Sequence, residues 1–483
     1  MMSPKKTSQI KEQLALPFAP PQPMVWESEQ AYIDRLKTLL EGDLDFHEQN
    51  SGYATHLIHS FPAKFPPQLP RLFIENLTQP GEIVLDPMAG SGTALLEACI
   101  AGRQAIGLDI DPLALRISYA KVHPLNTEQV LQSLHKILRN VEEQLKIREE
   151  TDFQSEFAHT FDEETRQFIS YWFSPAVSKP LFYLKKEIER VQEPVLRLFF
   201  EVAFSSLIIT KSGGVSFALD LAHTRPHRAK IVYDEQGNEI LREIPDTLSP
   251  ARLKILTKTL RPVLPEFEKR VRINLRSELG KSEVNPLPIV LAGDAQNLPI
   301  ARNTIDLIVT SPPYASNAID YMRAHKFSLI WFGYPLGILS QNRRQYIGSD
   351  WVESIEESRF PPIVQEILMT LVQKDKKKML AVQRYYREMK TVLTEMYRVL
   401  RPGRAAILVV GTSVIRGIDI RIGDCLAEIG TQIGFQVPAI GIRNLDRDRR
   451  MLPASKTNGN DSLIQQRMHQ EYVIGFYKPS KEG

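Results

Sequence analysis

The chain has 483 residues, of which 43% are hydrophobic and 24% charged, close to the averages of globular proteins and sufficient for a large buried core. Its formal net charge of +3 permits binding to nucleic acid without demonstrating it, because phosphate binding depends on local clusters of charge rather than on the total. The two cysteines, Cys99 and Cys425, exclude a disulfide scaffold and a cysteine-based metal cluster, and the lack of an apolar run of about 18 residues leads us to expect a cytoplasmic protein with no membrane span.

The first part of the chain predicts a flexible arm followed by an α/β unit. Residues 1–25 are polar and rich in proline, and we expect them to be a flexible N-terminal arm. Two short apolar runs, 82–86 and 105–109, each end in an acidic residue and flank a helical pattern at 94–101. A strand, a glycine-rich turn, a helix and a second strand form the βαβ unit of a parallel sheet.

The middle of the chain, residues 122–285, has a different pattern. Long amphipathic stretches at 130–145 and 181–207 predict helices. A hairpin is predicted at 229–240, with the Gly-Asn pair at 237–238 as its turn signal. We expect this block to be an inserted, mostly helical domain and a candidate for target recognition.

The α/β pattern resumes in residues 286–480. Four apolar runs and a segment led by Gly434 predict further strands, the runs lying at 289–294, 305–310, 405–410 and 472–477. Residues 340–380 are predicted to be a second insertion.

The strongest local feature is the loop Leu-Asp-Pro-Met-Ala-Gly-Ser-Gly-Thr at 85–93. Gly90 and Gly92 remove Cβ atoms where a loop must let a ligand approach backbone N–H groups, and the helix that follows attracts electron-rich groups at its N-terminus. Asp109 ends the next strand, where a carboxylate can accept hydrogen bonds from ribose hydroxyls. Leu95 stands where a dinucleotide oxidoreductase would carry a third glycine, and the loop lacks the Gly-Lys-Ser/Thr of a P-loop.

Two motifs resemble those of amino-group DNA methyltransferases. The segment 86–93 resembles their Asp-Pro-Phe-x-Gly-Ser-Gly-Thr motif, with Met88 in place of phenylalanine, and Ser-Pro-Pro-Tyr at 311–314 resembles their Ser/Asp/Asn-Pro-Pro-Tyr/Phe motif. The resemblance covers about 55–122 and 286–478. It implies an α/β fold of the class I S-adenosylmethionine (SAM)-dependent type, Rossmann-like with a mostly parallel seven-stranded sheet.

The same resemblance implies the division of the catalytic domain and its cofactor contacts. Residues 26–121 would be the half that binds SAM, and residues 286–480 the catalytic half. Asp109 would hold the ribose, Asp294 the adenine amino group, and the segment 61–66 would close over the methionine. The implied cofactor-binding residues are Lys64, Phe65, Asp86, Pro87, Gly90, Gly92, Thr93, Asp109 and Asp294.

The implied catalytic residues are Ser311, Pro312, Pro313 and Tyr314. An exocyclic base amine is a poor nucleophile, so acceptors that grip both of its hydrogens favour a pyramidal nitrogen and stabilise the positive charge that develops. The Ser311 side chain and the Pro312 carbonyl can be these acceptors, and the prolines stiffen the backbone. Tyr314 supplies an aromatic face for a base rotated out of the duplex.

Serine at position 311 resembles the residue found in enzymes that methylate N4 of cytosine. The order of the motifs, with the cofactor half first and the catalytic half second, departs from the more frequent order in that group. N6 of adenine therefore remains an alternative, as does an RNA base on the same fold. A catalytically silent nucleic-acid-binding subunit is disfavoured by the intact motifs. Methylation of cytosine C5 is rejected because neither Cys99 nor Cys425 follows the Pro-Cys pattern of those enzymes.

Double-stranded DNA is the expected partner, and a cognate restriction enzyme is a further candidate. Two basic segments are candidate DNA contacts, with Arg225, His227, Arg228 and Lys230 in the first and Arg449 and Arg450 in the second. The segment Gln13–Phe18 resembles peptides that dock on the bacterial sliding clamp. No metal is predicted, because His59 and His325 have no second ligand at suitable spacing.

Overall fold

The computed structural model describes residues 28–47, 49–62, 64–210, 214–221, 226–245, 247–277, 287–315, 320–349, 359–445 and 470–480. The strands are β1 (Ile83–Asp86), β2 (Gln104–Asp109), β3 (Ile231–Tyr233), β4 (Glu239–Arg242), β5 (Thr257–Thr259), β6 (Ile289–Ala292), β7 (Ile305–Thr310), β8 (Leu400–Gly411), β9 (Val414–Ile415), β10 (Ile418–Asp419), β11 (Ile440–Asn444) and β12 (Gln470–Lys478).

Helices make up most of the remaining structure. They are α1 (Glu29–Glu41), α2 (Gln68–Leu77), α3 (Thr93–Ile100), α4 (Pro112–Val122), α5 (Thr127–Ile147), α6 (Glu150–Thr160), α7 (Glu163–Trp172), α8 (Pro175–Glu189), α9 (Pro194–Ile208), α10 (Pro250–Leu256), α11 (Val263–Ser277), α12 (Tyr321–Leu329), α13 (Leu336–Asn342), α14 (Pro362–Lys374), α15 (Lys376–Val399) and α16 (Ile422–Ile433). Short 3₁₀ helices cover Ile330–Phe332 and Arg343–Gln345. Among the residues described here, none of the helices combines the length and apolarity that a membrane crossing requires.

Seven strands form one sheet in the order β6-β2-β1-β7-β8-β12-β11. The five strands from β6 to β8 are parallel to one another. Strand β12 runs antiparallel to both of its neighbours, β8 and β11. The carboxyl ends of the parallel strands therefore meet at one edge of the sheet, where α/β proteins bind their ligands.

Most predicted strands are confirmed, and one prediction about a strand's start is wrong. Gly434 does not lead a strand but ends α16 with a φ of 119°, and β11 begins only at Ile440. The amphipathic stretch 181–207 is two helices, because α8 ends at Glu189 and Pro194 opens α9; proline is favoured in the first turn of a helix but not inside one.

Both faces of the sheet are covered by helices. Because side chains of a strand alternate between faces, Leu85 packs in one hydrophobic cluster with residues of α15 and α16, such as Met389 and Leu426. Its neighbour Val84 packs in another cluster with residues of α2 and α3, such as Phe73. The sheet is thus the middle layer of three, and its strand ends cannot shift without disturbing both layers.

A third hydrophobic cluster joins the middle block to the helices next to the sheet. It contains Leu134 of α5 and Phe204 of α9, together with Ile117 of α4 and Phe327 of α12. The small sheet of the middle block has the strand order β4-β3-β5. The middle helices therefore share one core with α4 and α12, and the predicted division at 121 and 285 stays a prediction.

Gly107 brings α3 close to β2 behind the glycine-rich loop. A Cβ atom at this position would lie 2.4 Å from Leu95 Cδ1 and 3.2 Å from Ala89 Cβ. We expect Gly107→Ala to lower the free energy of unfolding by about 1–3 kcal/mol, the usual cost of overpacking a core. Urea denaturation measures the change. Gly42→Ala is the matched control, since its Cβ would meet Leu39 O at an ordinary 3.5 Å, and an equal loss in both variants would contradict the explanation.

Candidate active site

A pocket opens at the carboxyl edge of the sheet. The ends of four neighbouring strands contribute Asp86, Asp109, Asp294 and Ser311 to its lining. Of the residues predicted from the sequence, the pocket is lined by Lys64, Phe65, Asp86, Pro87, Gly90, Thr93, Asp109, Asp294, Ser311 and Pro313. The structure thus brings the glycine-rich loop and the start of the Ser-Pro-Pro-Tyr segment to one cavity.

The two glycines of the loop have different surroundings. Both have a left-handed backbone, with φ of 52° at Gly90 and 71° at Gly92. A Cβ atom on Gly90 would lie 3.3 Å from the ring of Phe61, which also lines the pocket. A Cβ atom on Gly92 would lie 3.0 Å from Ser118 of α4. Gly90 therefore keeps the pocket open, whereas Gly92 is not among the lining residues and allows helix packing.

Asp86 is a buried carboxylate at the end of β1. Its Oδ1 atom accepts two hydrogen bonds, from Thr310 Oγ1 at 2.7 Å and from the Met88 amide at 3.2 Å. Burial raises the pKa of Asp86 to about 7, because removal from water disfavours the charged form. A cationic ligand in the pocket would reverse this effect.

Asp109 fixes the glycine-rich loop from the neighbouring strand. Its two oxygens accept hydrogen bonds from the amides of Gly90, at 2.7 Å, and Asp111, at 2.8 Å. Burial and the negative charge of Asp111 raise the pKa of Asp109 to about 6. Each carboxylate oxygen has two lone pairs, so Asp109 can still accept hydrogen bonds from ligand hydroxyls.

Asp111 forms a polar network that the sequence analysis did not identify. Its carboxylate lies 2.6 Å from His325 Nδ1 and accepts a hydrogen bond from Tyr346 at 3.0 Å. Asp111, Tyr321 and Tyr346 all line the pocket. The local sequence indicates Asp111 only as the residue that caps α4, just before Pro112. Its hydrogen-bond partners His325 and Tyr346 lie more than 200 residues away along the chain.

Lys64 reaches the pocket with an ammonium group that is already engaged. Its Nζ donates to the carbonyl oxygens of His56, at 3.0 Å, and His59, at 3.4 Å. These bonds connect Lys64 to the residues just before 61–66, the segment that is predicted to close over the methionine. Asp294 lies at the mouth instead: it is exposed and accepts a hydrogen bond from the Gln296 amide at 2.9 Å.

Tyr314 lies beside the pocket rather than in its lining, as does the buried Pro312. The Tyr314 hydroxyl donates to Glu471 Oε1 at 2.9 Å. Its ring packs on Gly411, where a Cβ atom would come within 2.7 Å of the ring. Tyr314 is therefore held at the edge of the site, next to Ser311 and Pro313.

The predicted DNA contacts are only partly described. Arg225, Arg449, Arg450 and the segment Gln13–Phe18 lie outside the described residues. Arg228 forms an ion pair with Glu243 and lies over the ring of Tyr171, at 4.6 Å. Lys230 pairs with the same Glu243 at 2.8 Å, whereas His227 is exposed. Arg228 and Lys230 therefore already have an acidic partner in this conformation.

The strand order, with one antiparallel strand beside the edge and a glycine-rich loop after β1, defines a class I SAM-dependent methyltransferase. The family model of N6/N4 methyltransferases, described as DNA methylase, matches residues 2–120. The type II methyltransferase M.MvaI of Kocuria varians is 25% identical over 468 residues, which cover 90% of this chain and 95% of that protein. Both matches support an assignment to the family of amino-group DNA methyltransferases.

The chain is also similar to two further proteins. The type II methyltransferase M.BsoBI of Geobacillus stearothermophilus is 23% identical over 434 residues, which cover 81% of this chain and 80% of that protein. Among solved structures, a TehB-like SAM-dependent methyltransferase from Corynebacterium glutamicum aligns with 85% of this chain and 86% of its own at 10% identity, but with a TM-score of only 0.26. The fold assignment therefore rests on the sheet topology.

SAM is the cofactor of this class, and the pocket fits it. Its lining combines apolar side chains, such as Phe61 and Phe65, with a few carboxylates, a composition typical of ligand sites. In its wall, a Cβ atom on Gly90 would crowd the ring of Phe61. Carboxylates at the ends of three strands supply acceptors for a cationic ligand that carries a ribose and an amino group.

Proposed function

We propose that the chain methylates N4 of cytosine at specific sites in double-stranded DNA. The observation that carries this proposal is the single pocket lined by Gly90, Asp109 and Ser311. It supports a cofactor held against the glycine-rich loop next to a residue that can grip a base amine. Serine at 311 favours cytosine over adenine, and the type II methyltransferases among the relatives support a modification enzyme with a short recognition site.

The bound cofactor supplies a methyl group activated by its sulfonium. Asp109 accepts hydrogen bonds from the ribose hydroxyls, and Asp86 attracts the positively charged methionine end. Phe65 and Pro87 shield the pocket from water, and Asp294 contacts the adenine amino group at the mouth. These roles separate cofactor binding, on β1, β2 and β6, from base recognition, on the segment after β7.

Base recognition uses acceptors that are fixed before the reaction. Ser311 Oγ and the Pro312 carbonyl accept the two hydrogens of the amine, which directs its lone pair away from the ring and stabilises the developing positive charge. Pro313 restricts the backbone between these acceptors and Tyr314. The Tyr314 ring stacks on the base after it has rotated out of the duplex. We assign the recognition of the DNA sequence to the middle block and α12, which share one core.

Mass spectrometry of nucleosides tests this function. DNA from cells that express the chain should contain N4-methylcytosine, and DNA from cells that express Ser311→Ala should lack it. N6-methyladenine would show that the base assignment is wrong while the amino-methyltransferase chemistry holds. Methylated bases in RNA without any in DNA would contradict the proposed substrate.

The pH dependence of SAM binding follows from the raised pKa of Asp86. In the free protein this carboxyl is mostly protonated at pH 6, since its pKa is about 7, and the proton must leave before the carboxylate can attract a cation. At pH 8 it is already ionised. We expect affinity for SAM to rise about tenfold from pH 6 to pH 8, measured by isothermal titration calorimetry. Asp86→Asn should flatten the profile, and an unchanged slope in that variant would contradict the assignment.

A further inference from the structure

Three positions lie side by side on one face of the sheet, next to Tyr314. Gly411 of β8 is paired in register with Glu471 of β12, and Glu471 is paired with Arg443 of β11. Residues directly opposite on antiparallel strands project to the same face. Because Gly411 has no side chain, the ring of Tyr314 can lie directly over its backbone.

The fit of the ring on Gly411 is close. A Cβ atom there would lie 2.7 Å from Tyr314 Cε2 and 2.9 Å from Cδ2, distances that real Cβ atoms essentially do not show. The ring therefore contacts the backbone of β8 directly. Glu471, which is paired with Gly411 on the next strand, lies beside the ring.

Glu471 connects Tyr314 to a buried cation. One carboxylate oxygen accepts the hydrogen bond from the Tyr314 hydroxyl at 2.9 Å, and the other forms an ion pair with Arg443. Glu471 and Arg443 are both about 7% exposed, so solvent screens the pair little. A hydrogen bond to an ionised acceptor is roughly twice as strong as one between neutral groups, which makes this bond a specific anchor for the ring.

The protonation of Tyr314 suits a donor in this position. Burial and the negative charge of Glu471 raise the pKa of Tyr314 well above its usual value, against a weaker opposite effect of Ser311. The phenol therefore stays protonated and donates.

We infer that Glu471 is a positioning residue for base recognition, which fixes Tyr314 through its hydroxyl while Arg443 balances the charge of the carboxylate. The inference rests on the proposed function of Tyr314 as the surface on which the rotated base stacks. Without the anchor, the ring can rotate off Gly411, and the base is held less well in line with the cofactor. Positioning of this kind affects the rate of the chemical step more than the binding of the cofactor.

The test compares four variants by methylation of unmodified phage DNA with labelled SAM. Tyr314→Phe removes only the hydroxyl, and Glu471→Ala removes the carboxylate; we expect each to lower kcat about tenfold with an unchanged KM for SAM. Glu471→Gln keeps an acceptor and should recover most of this loss. The double variant Tyr314→Phe/Glu471→Ala should be no slower than either single variant, because both remove the same bond.

Glu82→Gln is the matched control, since Glu82 is a buried carboxylate paired with Arg404 at the opposite edge of the sheet; it should keep full kcat. Three outcomes would each overturn the inference. Glu471→Ala could keep full kcat, or it could raise KM for SAM with kcat unchanged. In the double variant, the kcat losses of the two single variants could multiply. Tyr314→Ala separates the two levels of the argument. If it keeps full turnover, the proposed function of Tyr314 is wrong; if it is inactive while Glu471→Ala is fully active, only the positioning role fails.

Discussion

Ser311→Ala is expected to lower kcat for methyl transfer by about 10²–10³, the usual cost of removing one group that stabilises a transition state. The affinity for SAM should stay within about threefold of the wild type, because the proposed acceptors for the cofactor lie on other strands. Ser311 lines the pocket at the end of β7. Its hydroxyl is the side-chain acceptor nearest to the Pro-Pro-Tyr segment in sequence.

Single-turnover transfer from labelled SAM measures the rate, and calorimetry measures cofactor binding. Ser340→Ala is a suitable control, since the Ser340 hydroxyl donates to Leu336 O within its own helix and should be dispensable for activity. If Ser311→Ala transferred methyl groups at the wild-type rate, Ser311 would not be the hydrogen-bond acceptor for the base amine.

Asp109→Ala is expected to weaken SAM binding about 100-fold, which corresponds to about 2.7 kcal/mol. The variant removes the proposed acceptor for the ribose hydroxyls, and hydrogen bonds to charged groups contribute about 1.5–3 kcal/mol each. It also frees the Gly90 amide, which now donates to Asp109 at 2.7 Å, so the loop loses its fixed shape before the cofactor arrives.

Calorimetric titration of SAM measures this effect directly. Asp109→Asn keeps one acceptor and should fall between the wild type and the alanine variant. Asp294→Ala should lose less affinity than Asp109→Ala, because Asp294 is exposed at the mouth, where water competes for the same hydrogen bonds. An equal loss in both alanine variants would contradict the distinction between the buried and the exposed acid.

The sequence predicted the parts of the site that lie within one continuous segment. Gly90 and Asp109 belong to a single βαβ unit, and the hydrophobic periodicity of its strands fixes where each strand ends. Ser311 follows an apolar strand in the same manner. Since the carboxyl ends of parallel strands meet at one edge, these residues could be expected to share a pocket, and the structure brings them together.

The sequence could not predict the residues that support the site from a distance. His325 lies 214 positions after its partner Asp111, and Glu471 lies 157 positions after Tyr314. Neither pair has a local pattern, because each depends on which strands and helices become neighbours. Gly411 likewise reads as an ordinary strand end until the ring of Tyr314 is placed on it.

The shared core of the middle block limits how this protein can be re-engineered. Helix α4 begins at Pro112, next to the pocket residue Asp111, and its Ile117 is buried in the same cluster as Phe204 of α9 and Phe327 of α12. A chimaera that exchanges only the middle helices would therefore remove the packing partners of the apolar side chains of α4 and α12. An exchange of the proposed target-recognition block therefore requires grafting those two helices as well, together with their contacts to the pocket wall.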